Sequence, residues 1–465
     1  MTTIHPKTDQ VAAHARGKLA STLDRLGQYL AHPAISCDAA HAGDVKALAL
    51  RIADDLRGLS LTNVRLLELD GALPAVAADY AQAGPDKPTV LIYGHLDLQP
   101  VKGESWTSPP HAIRREGDRI FARGAADDMG GWISHLAAIE SWLAVAGELP
   151  VNVKLLIEGE EEIGSPNLER YMDAFPDAFA SDVMVLTDCE NPSTEIPGLT
   201  VSLRGLMEVE LACESLTSDV HSGLWGNLVP DPAVTLMMLV ARLVDEDGRL
   251  KLGRQRVPEA WSKAAWDVPL NEDVIRKGAR LRPDVKPLDD RGRPPAEWVW
   301  RQPAVTVLST TLPTPGHEKN AVRARASAVL SFRVAPGQTH EELMAEVAEV
   351  LTKSPPGGVK VTLTPRGKPG LSWLYTPKGE AFAAADRAYQ KSWGRPLLSI
   401  GVGGSIPFVA LFGRRFSDRP LILNGVMDPE TGAHGPDESM HLGVFEKAIV
   451  ANVYLYAELG ALGRR

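Results

Sequence analysis

Continuous apolar runs separated by segments with helical spacing dominate the first 200 residues. The runs TVLIYG, NVKLLIEG and DVMVLTD have the length of buried strands. The segments GKLASTLDRLGQYLAH and HAGDVKALALRIADDLRGL repeat apolar residues at the period of a helix. Strands that are apolar on both faces and alternate with helices are typical of a largely parallel sheet covered on both sides. The pattern therefore predicts an α/β domain.

The pattern changes at about Val201, where strands begin to alternate between apolar and polar positions. These strands are TVSLRGLMEVELACES, AVRARASAVLSFRVAP and GVKVTLTP, and a helix, TLMMLVARLVDE, lies between the first two. This arrangement favours a separate α+β unit. Its middle, from about Lys251 to Pro303, is rich in proline, arginine and tryptophan, and we expect a long irregular excursion there.

The α/β pattern returns after about Gly370. It consists of a helix EAFAAADRAYQKSW, a strand PLILNG and a final helix LGVFEKAIVANVYLYAEL. The simplest organisation is one α/β domain, formed by residues 1–200 and 370–465, that is interrupted by an inserted α+β domain at 201–369.

Composition limits the classes of protein to which this chain can belong. Of its 465 residues, 44% are hydrophobic and 23% are charged, as in soluble globular proteins. No run approaches the roughly 20 apolar residues that span a membrane, and the N-terminus lacks a secretory signal pattern. The formal charge of −10 argues against nucleic-acid binding. Cys37, Cys189 and Cys213 are too few for a disulfide framework. We expect a cytoplasmic protein without membrane partners.

Acidic and imidazole side chains follow the predicted strands at five places. They are His95 and Asp97 after TVLIYG, Asp127 and Asp128 before an amphipathic helix, Glu158, Glu160, Glu161 and Glu162 at the end of NVKLLIEGEEE, Asp188 after DVMVLT, and His434 in the glycine-rich segment after PLILNG. Because ligands of parallel α/β sheets bind at the carboxyl ends of the strands, we expect these side chains to converge.

Each cluster also has an ordinary structural explanation. Asp127 or Asp128 could cap the following helix, His95 could be a hydrogen-bonded structural residue, and Glu158 and Glu160 are expected to belong to a solvated acidic loop. These structural explanations do not account for all the clusters at once, because converging carboxylates repel one another unless a cation offsets their charge. Two imidazoles with several carboxylates and no thiolate suit a pair of Zn²⁺ ions, with Co²⁺ or Mn²⁺ as alternatives.

The motifs GHLDLQP, RGAADDMGG, EGEEEIGS, a strand ending in Asp188, and GAH near the C-terminus resemble one known family. It is the zinc metallopeptidase family of aminoacylase, acetylornithine deacetylase, carboxypeptidase G and the carnosinase-type dipeptidases. The resemblance extends over nearly the whole chain in order. It implies that His95 and Asp188 bind one zinc ion, that Glu162 and His434 bind the other, and that Asp127 bridges the two.

The same resemblance implies roles for residues beside the ligands. Asp97 is similar to the carboxylate that orients the first histidine ligand, and Glu161 to the general base that takes a proton from the attacking water. The peptide bond between Asp127 and Asp128 is expected to be cis. Met129 departs from the family, which commonly has lysine there, and we expect activity to survive this difference.

The inserted domain resembles the family's lid and dimerisation domain. His221, in TSDVHSGLWG, is similar to a histidine that crosses a homodimer interface to stabilise the oxyanion in the neighbouring site. Asn320 and Arg333 resemble substrate contacts, with Arg333 holding a terminal carboxylate through its guanidinium fork. Gly404 and Ser405, in VGGSIPF, resemble the loop that completes the carboxylate pocket.

The branch of the family is indicated by the long middle of the insert. Its end, WVWRQPAVTV, resembles carnosinase-type dipeptidases, although VTLTPRGKPG lacks a histidine that those enzymes tend to have. The implied activity is metal-dependent hydrolysis of dipeptides with a free C-terminal carboxylate. The alternatives are an N-acyl-amino-acid deacylase, a glutamate-releasing carboxypeptidase, a catalytically silent metal-binding relative and a dinuclear phosphoesterase.

Overall fold

The chain forms two compact units. The computed structural model describes residues 4–312, 316–404 and 406–464. The first unit comprises Met1–Val201, Thr376–Ile400 and Leu411–Arg465, and the second comprises Ser202–Tyr375 and Gly401–Ala410. The boundaries drawn from the sequence stay a prediction, and the compact units differ from them mainly at Gly401–Ala410, which the pattern had assigned to the last part of the α/β domain.

The helices of the described residues are numbered in chain order. They are α1 Thr8–Gly17, α2 Leu19–Leu30, α3 Ala42–Gly58, α4 Met129–Ala146, α5 Leu168–Ala174, α6 Pro176–Phe179, α7 Ser222–Trp225, α8 Pro232–Leu243, α9 Glu259–Ala265, α10 Glu272–Gly278, α11 Pro295–Arg301, α12 His340–Thr352, α13 Glu380–Trp393, α14 Pro407–Arg415 and α15 Leu442–Leu462. Short 3-10 turns occur at Ala39–His41, Glu161–Ile163 and Pro356–Gly358.

The strands are numbered in the same way. They are β1 Thr62–Leu67, β2 Ala75–Tyr80, β3 Thr89–His95, β4 Arg114–Glu116, β5 Arg119–Phe121, β6 Asn152–Glu158, β7 Val183–Leu186, β8 Gly198–Leu203, β9 Gly205–Glu214, β10 Val220–His221, β11 Ala304–Thr310, β12 Ala321–Val322, β13 Arg325–Val334, β14 Lys360–Gly370, β15 Trp373–Leu374, β16 Leu398–Val402, β17 Leu421–Leu423 and β18 Ser439–His441.

A six-stranded sheet in the order β1-β2-β6-β3-β7-β17 forms the centre of the first unit. β6, β3, β7 and β17 run parallel to their neighbours in this group, whereas β2 is antiparallel to both β1 and β6. β3 and β7 are buried almost throughout, because helices pack against the sheet. The predicted α/β fold with an inserted α+β domain is confirmed.

Helix α4 is more deeply buried than its sequence suggested. The spacing of Trp132, Ile133, Leu136, Ile139 and Leu143 predicts one apolar face. The first eleven residues of the helix are all buried instead, because α4 lies against β3 and also against α1, α2 and α15. A helix surrounded in this way has no solvent face over most of its length.

The second unit is an antiparallel sheet in the order β11-β13-β9-β14, with α8 and α12 packed against it. Side chains from the sheet and the two helices form one apolar core, in which Leu211, Leu239, Leu330, Phe332 and Val347 are fully buried. The 3.6 and 2.0 periods of helix and strand explain why these positions point inwards.

Two local expectations were wrong. The excursion from Lys251 to Pro303 contains three short helices, α9, α10 and α11, rather than irregular chain alone. The run TVSLRGLMEVELACES forms two strands instead of one, because β8 and β9 are interrupted at Arg204. No helix among the described residues is long and apolar enough to cross a membrane.

Candidate metal centre

The polar residues at the strand ends meet at one edge of the six-stranded sheet. His95 is the last residue of β3, and Glu158, the last residue of β6, is its register partner. Asp188 follows β7 by two residues, and β7 is the parallel neighbour of β3 on the other side. A short turn after β6 carries Glu161 and Glu162. Parallel strands bring their carboxyl ends to the same edge, so these side chains lie together.

Two sets of candidate ligand atoms share Asp127. His95, Asp127 and Asp188 form one set and Asp127, Glu162 and His434 the other, and within each set the ligand atoms lie within 4.8 Å of one another. Asp127 Oδ1 is 3.1 Å from His95 Nε2, while Asp127 Oδ2 is 3.1 Å from His434 Nε2. Each oxygen of this carboxylate therefore faces a different histidine, which is the geometry of a bridge between two cations.

Asp188 carries a buried carboxylate that lacks a partner among the residues that the structure describes. Its relative exposure is 8%, yet no hydrogen-bond donor or basic group among the described residues pairs with it. Burial, followed by repulsion from Asp127, raises the pKa of Asp188 well above its usual range. A buried carboxylate without a donor is costly unless a cation lies beside it.

The two glutamates show the same electrostatic conflict. Burial raises the pKa of Glu161 well above its usual range, and repulsion by Glu162 and Asp127 adds to this against the attraction of His95. Burial and then Asp127 also raise the pKa of Glu162. A divalent cation in each set would offset this repulsion, and imidazole nitrogens and carboxylate oxygens are ligands that such ions take. The donor sets therefore fit two divalent cations.

His434 reaches this edge from the second half of the chain. Its Nε2 lies 3.1 Å from Asp127 and 3.3 Å from Glu162. Hydrogen bonds to these two carboxylates raise the pKa of His434 to about 11. The residue has a φ of 63°, so the loop places it in the left-handed region, and its side chain stays more than half exposed. His434 is thus the most accessible of the candidate ligands.

Asp97 fixes more than the ring of His95. Its carboxylate Oδ1 is 3.5 Å from His95 Nδ1, and the ring nitrogen is 3.1 Å from the Asp97 backbone carbonyl. The same carboxylate accepts hydrogen bonds from the backbone N–H groups of Glu161, at 3.1 Å, and Glu162, at 3.0 Å. Asp97 therefore connects the end of β3 to the turn that carries both glutamates.

Asp128 is part of the support and not of either ligand set. Its Oδ2 accepts a hydrogen bond from Thr187 Oγ1 at 2.7 Å and one from the backbone N–H of His95 at 3.3 Å. Gly94 leaves room for it, since a Cβ there would lie 2.5 Å from Asp128 Oδ2. The peptide bond between Asp127 and Asp128 is cis, as expected.

The expectation that Glu158 and Glu160 face solvent was wrong. Glu158 is 3% exposed, and its Oε1 accepts a hydrogen bond from Ser165 Oγ at 2.5 Å. Glu160 is 5% exposed and accepts hydrogen bonds from the backbone N–H of Leu73 and the side chain of Asn167. Polar groups this deeply buried need specific hydrogen-bond partners. Through these hydrogen bonds, Glu158 and Glu160 attach the turn that carries Glu161 and Glu162 to neighbouring loops.

Glu438 is a supporting residue that the sequence did not indicate. It is fully buried, and its Oε1 accepts hydrogen bonds from the backbone N–H groups of Ala126 and Asp127, both at 3.2 Å. Its Oε2 accepts from the Gly124 N–H at 3.1 Å and from Arg123 Nη1 at 2.9 Å. One carboxylate thereby holds the loop that presents Asp127. In the sequence, its position four residues after His434 could have suggested this.

We expect Glu438→Gln to weaken metal binding by about 10–100-fold, the usual effect of losing a group that orients a ligand. The glutamine amide would place two donors against backbone N–H groups, so the loop would shift and move Asp127. Isothermal titration of the metal-free protein with Zn²⁺ measures the change. Glu446→Gln, at an exposed ion pair with Arg16, is the matched control. Affinity equal to wild type in a folded Glu438→Gln protein would contradict the role.

The remaining candidate residues belong to the second unit. His221 is exposed at the end of β10, and its Nδ1 accepts a hydrogen bond from the Gly223 N–H at 3.0 Å. β10 pairs with β12, which brings His221 close to Asn320, whose backbone carbonyl accepts from the Ser222 N–H at 3.0 Å.

The candidates for carboxylate binding lie elsewhere in that unit. Arg333 is half-buried on β13, and Gly404 is half-buried in the loop after β16. Ser405 lies outside the described residues. The roles of all these side chains remain proposals.

Comparisons with known proteins agree with the geometry. The model of peptidase family M20/M25/M40 matches residues 91–459. A cysteinylglycine-S-conjugate dipeptidase from Corynebacterium striatum is 32% identical over 369 residues, which are 79% of this chain and 80% of that protein. The human Beta-Ala-His dipeptidase is 27% identical over 390 residues, with 79% and 74% covered.

A solved structure also matches over nearly its whole length. It is that of an M20 family metallo-carboxypeptidase from Sulfolobus solfataricus, which is 27% identical, with a TM-score of 0.75 and with 95% of this chain and 99% of that chain covered. The resemblance read from the motifs is thereby confirmed. The chain belongs to peptidase family M20/M25/M40 and is a metallopeptidase.

Proposed function

We propose that this enzyme hydrolyses the amide bond of dipeptides that have a free C-terminal carboxylate. The observation that carries the proposal is the pair of ligand sets that share Asp127. Beside them lies the carboxylate of Glu161, which has no hydrogen-bond partner among the described residues. Two of the similar proteins named above are dipeptidases, which favours this substrate class over N-acyl amino acids.

The two ligand sets would hold two divalent cations. His95 and Asp188 would bind one, Glu162 and His434 the other, and Asp127 both. Imidazole and carboxylate ligands suit Zn²⁺, with Co²⁺ or Mn²⁺ as alternatives. Such ions, when bound, polarise a scissile carbonyl and lower the pKa of water.

Glu161 would act as the general base. Its carboxylate accepts no hydrogen bond from the described residues, so its oxygens stay free to take a proton from the attacking water. The Asp97 carboxylate accepts a hydrogen bond from the Glu161 backbone N–H and thereby fixes the start of the turn Glu161–Ile163. The proton would then pass from Glu161 to the leaving amine, which makes this residue acid as well as base.

The second unit would supply the contacts to the substrate. Arg333 is proposed to bind the C-terminal carboxylate through its guanidinium fork, with Gly404 and Ser405 completing that pocket. Asn320 would contact the peptide, and His221 would stabilise the developing oxyanion. These assignments rest on the resemblance of the motifs that contain the residues.

We also propose a homodimer that forms through the second unit. β11 is an edge strand whose last five residues are exposed, with Val307 and Leu308 among them. Helix α8 presents Val234, Met237 and Met238 to solvent. An apolar helix face and an open strand edge in the same unit are typical of an interface between copies. A cytoplasmic location and the absence of nucleic-acid partners stay predictions.

The test is a substrate panel with the purified enzyme loaded with Zn²⁺ or Mn²⁺. We expect amine release from free dipeptides, little from the same dipeptides with amidated C-termini, and little from N-acetyl amino acids. A chelator should abolish hydrolysis, and added metal should restore it, with elemental analysis giving up to two ions per chain.

Each other outcome of the panel points to a different function. Faster cleavage of N-acetyl amino acids would indicate a deacylase, and release of glutamate from folyl-glutamate analogues would indicate a carboxypeptidase. Full activity in a protein shown to contain no metal would overturn the proposal.

A further inference from the structure

Two arginines lie close together in the second unit. Arg333 on β13 pairs with Leu206 on β9, and Arg204 lies two positions before Leu206. Phe332 and Val334, on either side of Arg333, are buried in the core beneath the helices, so Arg333 points to the opposite face. Arg204 immediately precedes β9 and is two residues from the register partner of Arg333, so the chain brings the two arginines close together, and the charge of Arg333 acts on the Arg204 guanidinium.

Neither guanidinium is neutralised by a carboxylate among the described residues. Arg204 Nε donates to the Gly403 carbonyl at 2.9 Å and its Nη1 to the Gln302 carbonyl at 3.2 Å, but both acceptors are neutral. Arg333 has no ion pair or side-chain hydrogen bond within the described part of the chain. Glu208, which the register places on the same face, forms no ion pair with either. Each guanidinium therefore keeps a positive charge that no carboxylate of the described residues neutralises by direct contact.

Several other arginines of the unit do have a carboxylate partner. Arg254, Arg291 and Arg325 each lie within 3.2 Å of a carboxylate oxygen. For Arg204, burial and then the charge of Arg333 lower the pKa to about 10. Two neighbouring cations that are partly removed from water repel each other, and an anion between them would remove that cost.

We propose that Arg204 and Arg333 together form a site for two carboxylates, which gives the enzyme a preference for dipeptides whose C-terminal residue is glutamate or aspartate. The inference rests on the proposed dipeptidase function. One α-carboxylate neutralises only one guanidinium, and the side-chain carboxylate of the same residue would neutralise the other. Arg204 also donates a hydrogen bond to the Gly403 carbonyl, so it positions the loop that leads to Gly404.

The test compares Ala-Glu with Ala-Gln, which have nearly the same shape and differ in one charge. We expect kcat/KM to be at least tenfold higher for Ala-Glu, chiefly through a lower KM, since a hydrogen-bonded ion pair at a desolvated site discriminates strongly. Arg204→Met should bring the ratio to within about twofold. Arg204→Lys keeps the positive charge but lacks the two-pronged guanidinium, so this variant should retain part of the preference for Ala-Glu.

Arg325→Met is the matched control, since Arg325 lies on the same strand as Arg333 but is exposed and paired with Glu210. It should leave the Glu-to-Gln ratio unchanged. Circular dichroism melts would establish that each variant is folded. A ratio near one in the wild type, or an unchanged ratio in a folded Arg204→Met protein, would overturn the proposal.

A second readout separates this inference from the function on which it rests. Binding of L-glutamate and L-glutamine to the metal-loaded enzyme, measured by calorimetry, does not require turnover. Tighter binding of L-glutamate that depends on Arg204 would support the two-carboxylate site even if neither dipeptide were cleaved, an outcome that would refute dipeptide hydrolysis alone. Equal binding of the two amino acids, with both dipeptides cleaved equally, would refute the site and leave the function intact.

Discussion

Replacing Glu161 by glutamine is expected to lower kcat by about 10²–10⁴-fold, which is the contribution of a positioned general acid–base. The amide has nearly the same shape as the carboxylate but cannot accept a proton from water. The metal content should stay near two ions per chain, because Glu161 belongs to neither set of candidate ligands. Steady-state kinetics on a dipeptide, together with elemental analysis of the same protein, measure both quantities.

Glu162→Gln is the matched variant, because it changes the adjacent residue in the same way. Glu162 lies in the ligand set with Asp127 and His434, and Gln99 Nε2 donates to its carboxylate at 2.7 Å. Loss of its charge should therefore weaken one metal site. If both variants lose metal to the same extent, or if Glu161→Gln retains wild-type kcat, the division of roles between these two glutamates is wrong.

The strand ends were predictable because strand periodicity and parallel topology are local and general. A run such as TVLIYG followed by His95 indicates a buried strand with a polar end, and the rule that parallel strands share a carboxyl edge then brings Asp188, which follows the parallel neighbour β7, close to it. The geometry agrees: each of these residues lies in a candidate ligand set. No long-range information was needed to place them.

The supporting contacts could not be predicted in this way. Glu438 reaches Gly124, Ala126 and Asp127 across more than 300 positions of the chain, and no spacing rule encodes such a pairing. Glu160 looked like part of a solvated acidic run because charge clusters usually are solvated. It is buried because Leu73 and Asn167, which are distant and nearby in sequence respectively, offer it donors.

In the second unit, the end of a strand could not be predicted from the local sequence either. The run TVSLRGLMEVELACES has continuous strand character, and nothing local marks the interruption at Arg204. The interruption coincides with hydrogen bonds from the Arg204 side chain to Gly403 and Gln302, which lie about 100 or more positions away. Tertiary partners, rather than propensity, determine where such a strand ends.

Mixing two inactive variants is expected to restore about a quarter of wild-type activity if His221 serves the active site of the other chain in a homodimer. His221→Ala should lose about 10²–10³-fold in kcat, the usual cost of one oxyanion donor, and should keep its metal, because His221 is in neither ligand set. Glu161→Gln should be inactive for its own reason. In a mixed dimer, one site then combines an intact Glu161 with an intact His221, and the second site carries both defects.

Random pairing of equal amounts makes half of the dimers mixed, and each mixed dimer has one good site of two, which gives about a quarter. Native mass spectrometry would establish that exchange has occurred, after mild denaturation if the dimers exchange slowly. His340→Ala, at the start of α12 in the same unit, is the control and should be active before mixing. Because neither parent can assemble a complete site alone, recovery requires residues from two chains. Mixed dimers without recovered activity would mean that His221 acts within its own chain or has no part in the reaction.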